Sequence, residues 1–376
     1  GNVILTTSGT AGHVTIDNGT TALGVQGTVS GDLVITSGEA IMDSAALSVT
    51  GTTTLTTDMA DKTITLDTLA STGAVLVTTS GTAGNVVIDN GTTGLDLGAS
   101  TISGTLSATS GAAAGIVDSG NVAVSGDVTL TTDANNGVIN LGTLQQSGGD
   151  LILTTNGTGD ATVVNNAAID LGASNVGGAL SATASAGTIT QNGGALTVAG
   201  TSAFTTSTAD QAITLSNTAN ALTGAVSLTT SGTAGHVTID NGTTALGVQG
   251  TVSGDFALTS GEAIIDSAAL SVTGTTTVTT DMADKTITLD TLASTGNVIL
   301  KTSGTAGHVT IDSGTTALGV QGTVSGNLVL TSGEAIIDSD VLTVTGTTTV
   351  TTDVADKAIN LGSLASTGNV IVSTLG

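Results

Sequence analysis

The chain of 376 residues has no cysteine, no proline, no arginine and almost no aromatic side chains. Without cysteine it can form neither a disulfide framework nor a thiolate metal site. Because Phe204 and Phe256 are its only aromatic residues, any core has to be thin and built from Val, Ile, Leu and Ala. The absence of proline leaves every strand residue able to donate its backbone hydrogen bond. No apolar run reaches the roughly 18 residues of a membrane-spanning helix, so we expect no membrane insertion.

Basic residues are almost as scarce. Four lysines face 29 acidic residues, for a net charge of −25. Binding to nucleic acid requires a basic surface that neutralises phosphates, and attraction to anionic lipid also requires one. We therefore expect no nucleic-acid partner, and a surface that is solvated or meets cations.

Repetition dominates what is present. The opening "GNVILTTSGTAG" returns, with changes, at Gly73, Gly149, Gly224, Gly296 and Gly368. The chain therefore reads as five repeats and the start of a sixth, and as a fragment of a longer molecule. We predict one continuous domain over residues 1–376, with repeats at 1–72, 73–148, 149–223, 224–295 and 296–367.

Each repeat contains short apolar clusters in which inward and outward residues alternate. In "VTID", Val14 and Ile16 share one face, while Thr15 and Asp17 share the other. A period of two indicates strands. Aligning "VTID", "AIMD" and "ITLD" divides every repeat into three. The sequence thus predicts an all-β fold, a parallel β-helix (β-solenoid) of about 15 rungs of about 24 residues, with three short strands per rung.

Two alternative folds are disfavoured by the same pattern. The Gly, Ser and Thr content is compatible with disorder, but disordered chains lack such β-branched clusters. A row of small β-sandwiches, one per repeat, is opposed by the three-fold subdivision and by the lack of linkers and of aromatic core residues.

Aspartate recurs at the outward strand end of most predicted rungs and is the main candidate for a site. The aligned positions are Asp17, Asp43, Asp67, Asp89, Asp118, Gly142, Asn165, Gln191, Ser216, Asp240, Asp266, Asp290, Asp312, Asp338 and Gly362. Stacked carboxylates repel unless they are solvated, protonated or bridged by a cation, and oxygen-only sites suit calcium. The competing and favoured interpretation is that Asp caps backbone N–H groups in "DNG" and "DS" turns. Asp58 and Asp61 in "TTDMADK" carry the same ambiguity.

Histidine recurs at one position in three repeats, as His13, His236 and His308, with Asn85 at that position in the second. On a strand, His13 and Asp17 share a face but lie about 13 Å apart, too far for a catalytic pair. We interpret these histidines as surface residues copied with their repeat.

The runs "AALSVTGTTTLTT" (45–57) and "GALTVAGTSAFTTSTADQAITLSNTANALTGAVSLTT" (194–230) resemble the repeats of filamentous-haemagglutinin-type exoproteins, large bacterial surface adhesins secreted by the two-partner route. The resemblance extends over essentially the whole chain. It implies a right-handed parallel β-helix, an extracellular or cell-surface location, and a stalk or adhesive role.

These observations favour a structural rather than a catalytic protein. Polysaccharide-cleaving β-solenoids use paired carboxylates and sugar-stacking aromatics, which are missing, and the mixed Thr, Asp and Ser columns disfavour ice binding. We expect no enzyme activity, no catalytic, cofactor-binding or metal residues, and at most calcium along the Asp column. The expected role is a stalk or fibre segment. Open alternatives are an adhesive module for host, cell or glycan surfaces, and a filament in which copies of the chain associate.

Overall fold

The computed structural model describes residues 1–375 as two compact units, Gly1–Ala186 and a second that begins at Gly187. Within residues 1–375 there is no helix, and every regular element is a short β-strand. Each unit is described separately below.

The first unit contains 22 strands. They are β1 (Asn2–Thr6), β2 (Val14–Asp17), β3 (Leu23–Val29), β4 (Leu33–Ser37), β5 (Ile41–Val49), β6 (Thr53–Ala60), β7 (Ile64–Leu66), β8 (Leu69–Ser71), β9 (Val75–Ser80), β10 (Val86–Asp89), β11 (Leu95–Leu97), β12 (Ser100–Ile102), β13 (Leu106–Ser110), β14 (Ile116–Asp118), β15 (Val122–Val124), β16 (Val128–Asn135), β17 (Ile139–Gln146), β18 (Leu151–Asn156), β19 (Ala161–Asn165), β20 (Ile169–Leu171), β21 (Ser174–Val176) and β22 (Leu180–Ala184).

The second unit also contains 22 strands. They are β23 (Ile189–Gln191), β24 (Leu196–Val198), β25 (Ser202–Thr206), β26 (Ile213–Leu215), β27 (Ala221–Leu222), β28 (Val226–Thr229), β29 (Val237–Asp240), β30 (Leu246–Val252), β31 (Phe256–Ser260), β32 (Ile264–Val272), β33 (Thr276–Ala283), β34 (Ile287–Leu289), β35 (Leu292–Ser294), β36 (Val298–Ser303), β37 (Val309–Asp312), β38 (Leu318–Val324), β39 (Leu328–Ser332), β40 (Ile336–Val344), β41 (Thr348–Thr352), β42 (Ile359–Asn360), β43 (Leu364–Ser366) and β44 (Val370–Thr374).

In each unit the chain alternates between two parallel sheets. In the first unit, sheet 1 stacks β1, β3, β5, β7 with β8, β10, β13, β16, β18 and β20 with β21. Sheet 2 takes the intervening strands, starting β2, β4, β6 and β9. In the second unit, sheet 3 includes β29, β31, β33, β36, β38 and β40, and sheet 4 includes β28, β30, β32, β37, β39 and β41. All these pairings are parallel, so each unit is a β-solenoid, as the sequence predicts.

We call one passage of the chain along one sheet a half-turn. Stacked partners are 18 residues apart at Leu23 and Ile41, and 24 apart at Ile189 and Ile213, which bounds the length of a full turn. Repeat 1 contains seven half-turns, from β1 to the pair β7 and β8, which both stack on the single kinked strand β5. A repeat is therefore three and a half turns long.

An odd number of half-turns moves each repeat to the opposite sheet. Repeat 1 begins with β1 in sheet 1, whereas repeat 2 begins with β9 in sheet 2. In the second unit, repeat 4 begins with β28 in sheet 4 and repeat 5 with β36 in sheet 3. Identical sequence is therefore displayed on opposite sides of one unit.

The predicted fold class is confirmed, but there are about 17 turns rather than 15. The difference arises because "VTID" and "AIMD" do not occupy equivalent places: β2 lies in sheet 2 and β5 in sheet 1. Turns with a broken side, such as β7, β8 and β9, contain three strands, whereas others contain two. The right-handed winding and the single domain over 1–376 stay predictions.

The core is the aliphatic strip enclosed between the two sheets of each unit. In β4 the inward residues Leu33 and Ile35 are completely buried, while Val34 and Thr36 are partly exposed between them. The two aromatic residues, Phe204 and Phe256, are both directed inward and have no exposed surface. The inward Val, Ile and Leu side chains stack turn upon turn, which leaves the outward side chains and the corners for any site.

Candidate functional site

The aspartates expected to form one column occur in short groups on alternating sheets. In the first unit Asp17 ends β2 in sheet 2, Asp43 and Asp89 lie in sheet 1, and Asp118 ends β14 in sheet 2. The half-turn offset between repeats causes this distribution. The prediction of a single column was wrong in this respect, and the carboxylates fall into three structural classes.

The first class closes the "DNG" and "DSG" turns. The Oδ1 atoms of Asp17, Asp89, Asp240 and Asp312 accept the backbone N–H of the glycine two residues later, at 2.8–3.0 Å. Gly19 has φ of +56° and Gly314 +52°, a left-handed conformation that glycine adopts without steric cost. These aspartates therefore have the capping role favoured from the sequence.

The second class bonds to the kinked strand of the next turn. Asp43 Oδ1 accepts the Asp67 N–H at 3.1 Å, and Oδ2 accepts the Thr68 N–H at 2.7 Å and its hydroxyl at 2.9 Å. Asp266 makes the same contacts with Asp290 and Thr291. Burial raises the pKa of Asp43 and of Asp266, against these hydrogen bonds, and the neighbouring Asp67 or Asp290 carboxylate raises it further.

The third class holds a loop of the next turn. Asp61 has φ of +62°, and its Oδ1 accepts the backbone N–H groups of Thr82 and Ala83 at 2.6 and 2.8 Å. These two bonds lower the pKa of Asp61. A Cβ atom at Gly81 would lie 2.3 Å from the same oxygen, so the "SGTAG" loop requires glycine there.

The other repeats repeat this contact. Asp210 bonds to Thr233 and Ala234, and Asp284 bonds to Thr305 and Ala306, with a lowered pKa in both aspartates for the same reason. In repeat 2, Asn136 replaces the aspartate and accepts the Thr158 N–H at 2.8 Å. The sequence did not reveal this class, because the partner lies more than 20 residues away.

Each recurrent histidine contacts the next turn rather than its own strand. His13 Nδ1 accepts the Asp32 N–H at 2.9 Å and lies 3.1 Å from Asp32 Oδ2. His236 stands in the same relation to Asp255, at 2.9 and 3.5 Å. Asp17 takes no part, as the strand spacing predicted. The histidines are half-exposed and join successive turns.

Three of the four lysines form an equivalent ion pair. Lys62 lies 2.9 Å from Glu39, Lys285 2.7 Å from Glu262, and Lys357 2.8 Å from Glu334. All six side chains are partly exposed, so each pair contributes about 0–1 kcal/mol. The few bases are thus used between turns of the chain itself.

Buried asparagines were missed by the sequence interpretation. Asn90 is completely buried; its Oδ1 accepts the Ser71 N–H at 2.7 Å, and its Nδ2 donates to the carbonyls of Ser71, Thr93 and Gly94. Asn241 makes the corresponding contacts in repeat 4. The signal was present, since the period of two that buries Val86 and Ile88 also directs Asn90 inward.

Repeat 4 contains an open surface depression of about 500 Å³ beside His236 and Asp255. Its floor is Ala257, where the equivalent residues of repeats 1 and 5 are Val34 and Val329. The side chains around it can donate and accept hydrogen bonds, but no aromatic ring lines it for sugar stacking apart from the inward Phe256.

The described part of the chain contains no group of three or more His, Cys, Asp or Glu side chains arranged to hold a metal ion. Across residues 1–375 there is also no helix long and apolar enough to cross a membrane. The polar side chains collected at the corners therefore act, in the contacts described here, on the backbone of neighbouring turns.

Comparison with known families gives one match. The model of the repeats of unknown function (DUF5649) matches residues 11–80, 83–154, 158–229, 234–304 and 306–375. These five segments follow the periodicity read from the sequence. Neither curated proteins nor solved structures gave a match.

Proposed function

We propose, from the premise that this chain belongs to the DUF5649 repeat family, that it is a structural stalk or fibre segment. The parent molecule is a large secreted bacterial surface protein of the filamentous-haemagglutinin type, located outside the cell. One observation carries the proposal: a repeat is three and a half turns whose polar side chains bond mainly to neighbouring turns. Copying such a repeat adds length without adding or removing a site.

The mechanism is mechanical. Parallel backbone ladders connect every turn to the next in both sheets, and side-chain bonds such as those of Asp61 and Asn90 join the corners that the ladders leave. The aliphatic interior excludes water from these ladders. With strands about 4.8 Å apart, a repeat of three and a half turns adds roughly 17 Å along the stacking direction.

Insertion of a repeat tests this proposal. A second copy of residues 296–367 is inserted after residue 295, and spin labels are attached to cysteines at Thr251→Cys and Thr323→Cys, two equivalent exposed positions. Because the natural chain has no cysteine, only these sites are labelled. We expect the axial component of the distance to rise from roughly 17 to roughly 34 Å, with both labels now on the same side.

A narrow distance distribution at the longer value supports a stacked stalk. A broad distribution, as expected for independent modules joined by mobile connections, contradicts it. The uninserted double-cysteine variant is the control, because its labels lie on opposite sheets one repeat apart.

A second candidate, an adhesive module for cell or glycan surfaces, is favoured by the depression in repeat 4. Ala257→Val fills its floor with the residue that repeats 1 and 5 carry, so folding is preserved. If the chain binds cells or immobilised glycans and Ala257→Val abolishes that binding, adhesion is part of the function. Equal binding by both forms excludes this depression as the adhesive site.

A further inference from the structure

Five equivalent corner positions, one per repeat, all provide an acceptor for the next turn. Besides the histidine contacts of repeats 1 and 4, His308 Nδ1 accepts the Asn327 N–H at 2.8 Å. In repeats 2 and 3 the acceptor is an oxygen: Asn85 Oδ1 accepts the Thr105 N–H at 2.9 Å, and Asp160 Oδ1 the Ala179 N–H at 2.7 Å. The fold therefore demands an acceptor here, whichever residue supplies it.

A histidine meets this demand in only one protonation state. Neutral imidazole offers a lone pair at Nδ1 when its proton is on Nε2, whereas imidazolium has N–H groups at both positions and accepts nothing. An amide oxygen, as in Asn85, accepts at any pH. Histidine is the side chain whose ordinary charge change falls between pH 5 and 8.

The three histidines differ in what a protonated ring would meet. Asp32 Oδ2 lies 3.1 Å from His13 Nδ1 and Asp255 Oδ2 3.5 Å from His236 Nδ1, so each ring can donate to a carboxylate once it is protonated. In repeat 5 this residue is Asn327, whose Oδ1 already accepts the Thr347 N–H at 2.9 Å. A protonated His308 thus has no carboxylate in the next turn.

Other charged groups near these rings lie in the preceding turn. The carboxylate of Asp284 interacts with His308, and that of Asp210 with His236, but each is bonded to two backbone N–H groups of its own loop partner. Lys285 precedes the residue stacked on His308 and is paired with Glu262.

We propose that His308 is an acid-released latch between two turns of repeat 5. Neutral His308 holds the corner at Asn327, and protonation detaches it. The corresponding corners of repeats 1 and 4 stay joined, because Asp32 and Asp255 take the ring proton in a new hydrogen bond.

Hydrogen–deuterium exchange of the full chain, read by mass spectrometry at pH 7.5 and 5.0 and corrected for intrinsic rates, tests this latch. The three corners lie in the distinct segments "GDLVI", "GDFAL" and "GNLVL", so their peptides differ in mass. We expect protection of the Asn327 and Thr347 amides to fall about five- to tenfold at pH 5.0, the change for one lost neutral hydrogen bond. The Thr275 amide, held by Asp255, and the Thr105 amide, held by Asn85, keep their protection.

Two variants complete the test. His308→Asn reproduces the acceptor of repeat 2 and is expected to remove the pH response, whereas Asn327→Asp reproduces repeats 1 and 4 and is expected to restore protection at Thr347 at pH 5.0. The proposal is overturned if Thr347 is equally protected at both pH values in the natural chain. It is also overturned if His308→Asn retains the response.

Discussion

The buried asparagine of the "DNG" turn allows one residue to be tested in three contexts. Asn241 has no exposed surface and bonds to Leu222 N–H and C=O in the preceding turn and to two carbonyls of its own loop. Asn241→Ala leaves the buried Leu222 N–H without an acceptor, at about 1–3 kcal/mol, and removes three donated bonds while opening a small cavity. We expect the free energy of unfolding of the second unit to fall by about 3–5 kcal/mol.

Matched variants come from the repeats themselves. Asn18 has the same neighbours in sequence but is only partly buried, and its Nδ2 bonds only to Thr21 within its own turn. Asn18→Ala should therefore cost about 0.5–1 kcal/mol. Asn241→Ser copies Ser313 of repeat 5, which keeps the loop bond to the Thr316 carbonyl at 2.8 Å, and should cost an intermediate amount.

The assay is a guanidinium titration followed by circular dichroism, with hydrogen exchange of the peptide around Leu222 to localise the loss. Exchange is needed because stacked repeats need not unfold in one step. If Asn18→Ala and Asn241→Ala lower the free energy of unfolding equally, or if Leu222 stays protected in Asn241→Ala, the argument from inter-turn bonding fails.

Further predictions concern the corner contacts. Because the pKa of Asp284 is lowered in the folded chain, its stabilisation is present above the ordinary value of 3.8 and is lost as pH falls through the lower folded value; the pH dependence of the denaturant midpoint should be weaker in Asp284→Asn. Asp266, with a raised pKa, contributes with the opposite sign, so the single variant and not acidification alone isolates the effect. Gly304→Ala, at φ of +90° and with Cβ 2.3 Å from Asp284 Oδ1, should lose more stability than Gly9→Ala, which has the same φ but open space and so only the strain of about 1–3 kcal/mol. Lys285→Ala should change the free energy of unfolding by at most about 1 kcal/mol. Calcium and chelator should give the same melting temperature, because the aspartate oxygens are already acceptors for backbone N–H groups; a rise with calcium would contradict this.

The strands and their inward faces could be predicted because they are local properties. Alternation in "VTID" identifies a strand and directs Val14 and Ile16 inward, and the structure agrees on both. The turns of "DNG" followed equally from the capping chemistry of Asp17. These features depend on neighbours within a few residues.

The number of half-turns per repeat could not be predicted in the same way. A strand such as "VTID" has the same local pattern in either sheet, so nothing within it shows that β2 and β5 lie on opposite sides. The contact of Asp61 with Thr82 and Ala83 depends on that winding, and it stayed hidden for the same reason. The separation along the chain is set by the length of a turn, which varies between 18 and 24 residues.

The odd number of half-turns has a consequence at the level of the gene. Unequal recombination between copies gains or loses whole repeats, and each such event preserves strand pairing while exchanging front and back for everything encoded downstream. Two events restore the original orientation. Alleles that differ by one repeat would thus present the same downstream epitope to opposite sides, and an antibody or receptor approaching from a fixed direction would distinguish odd from even repeat numbers.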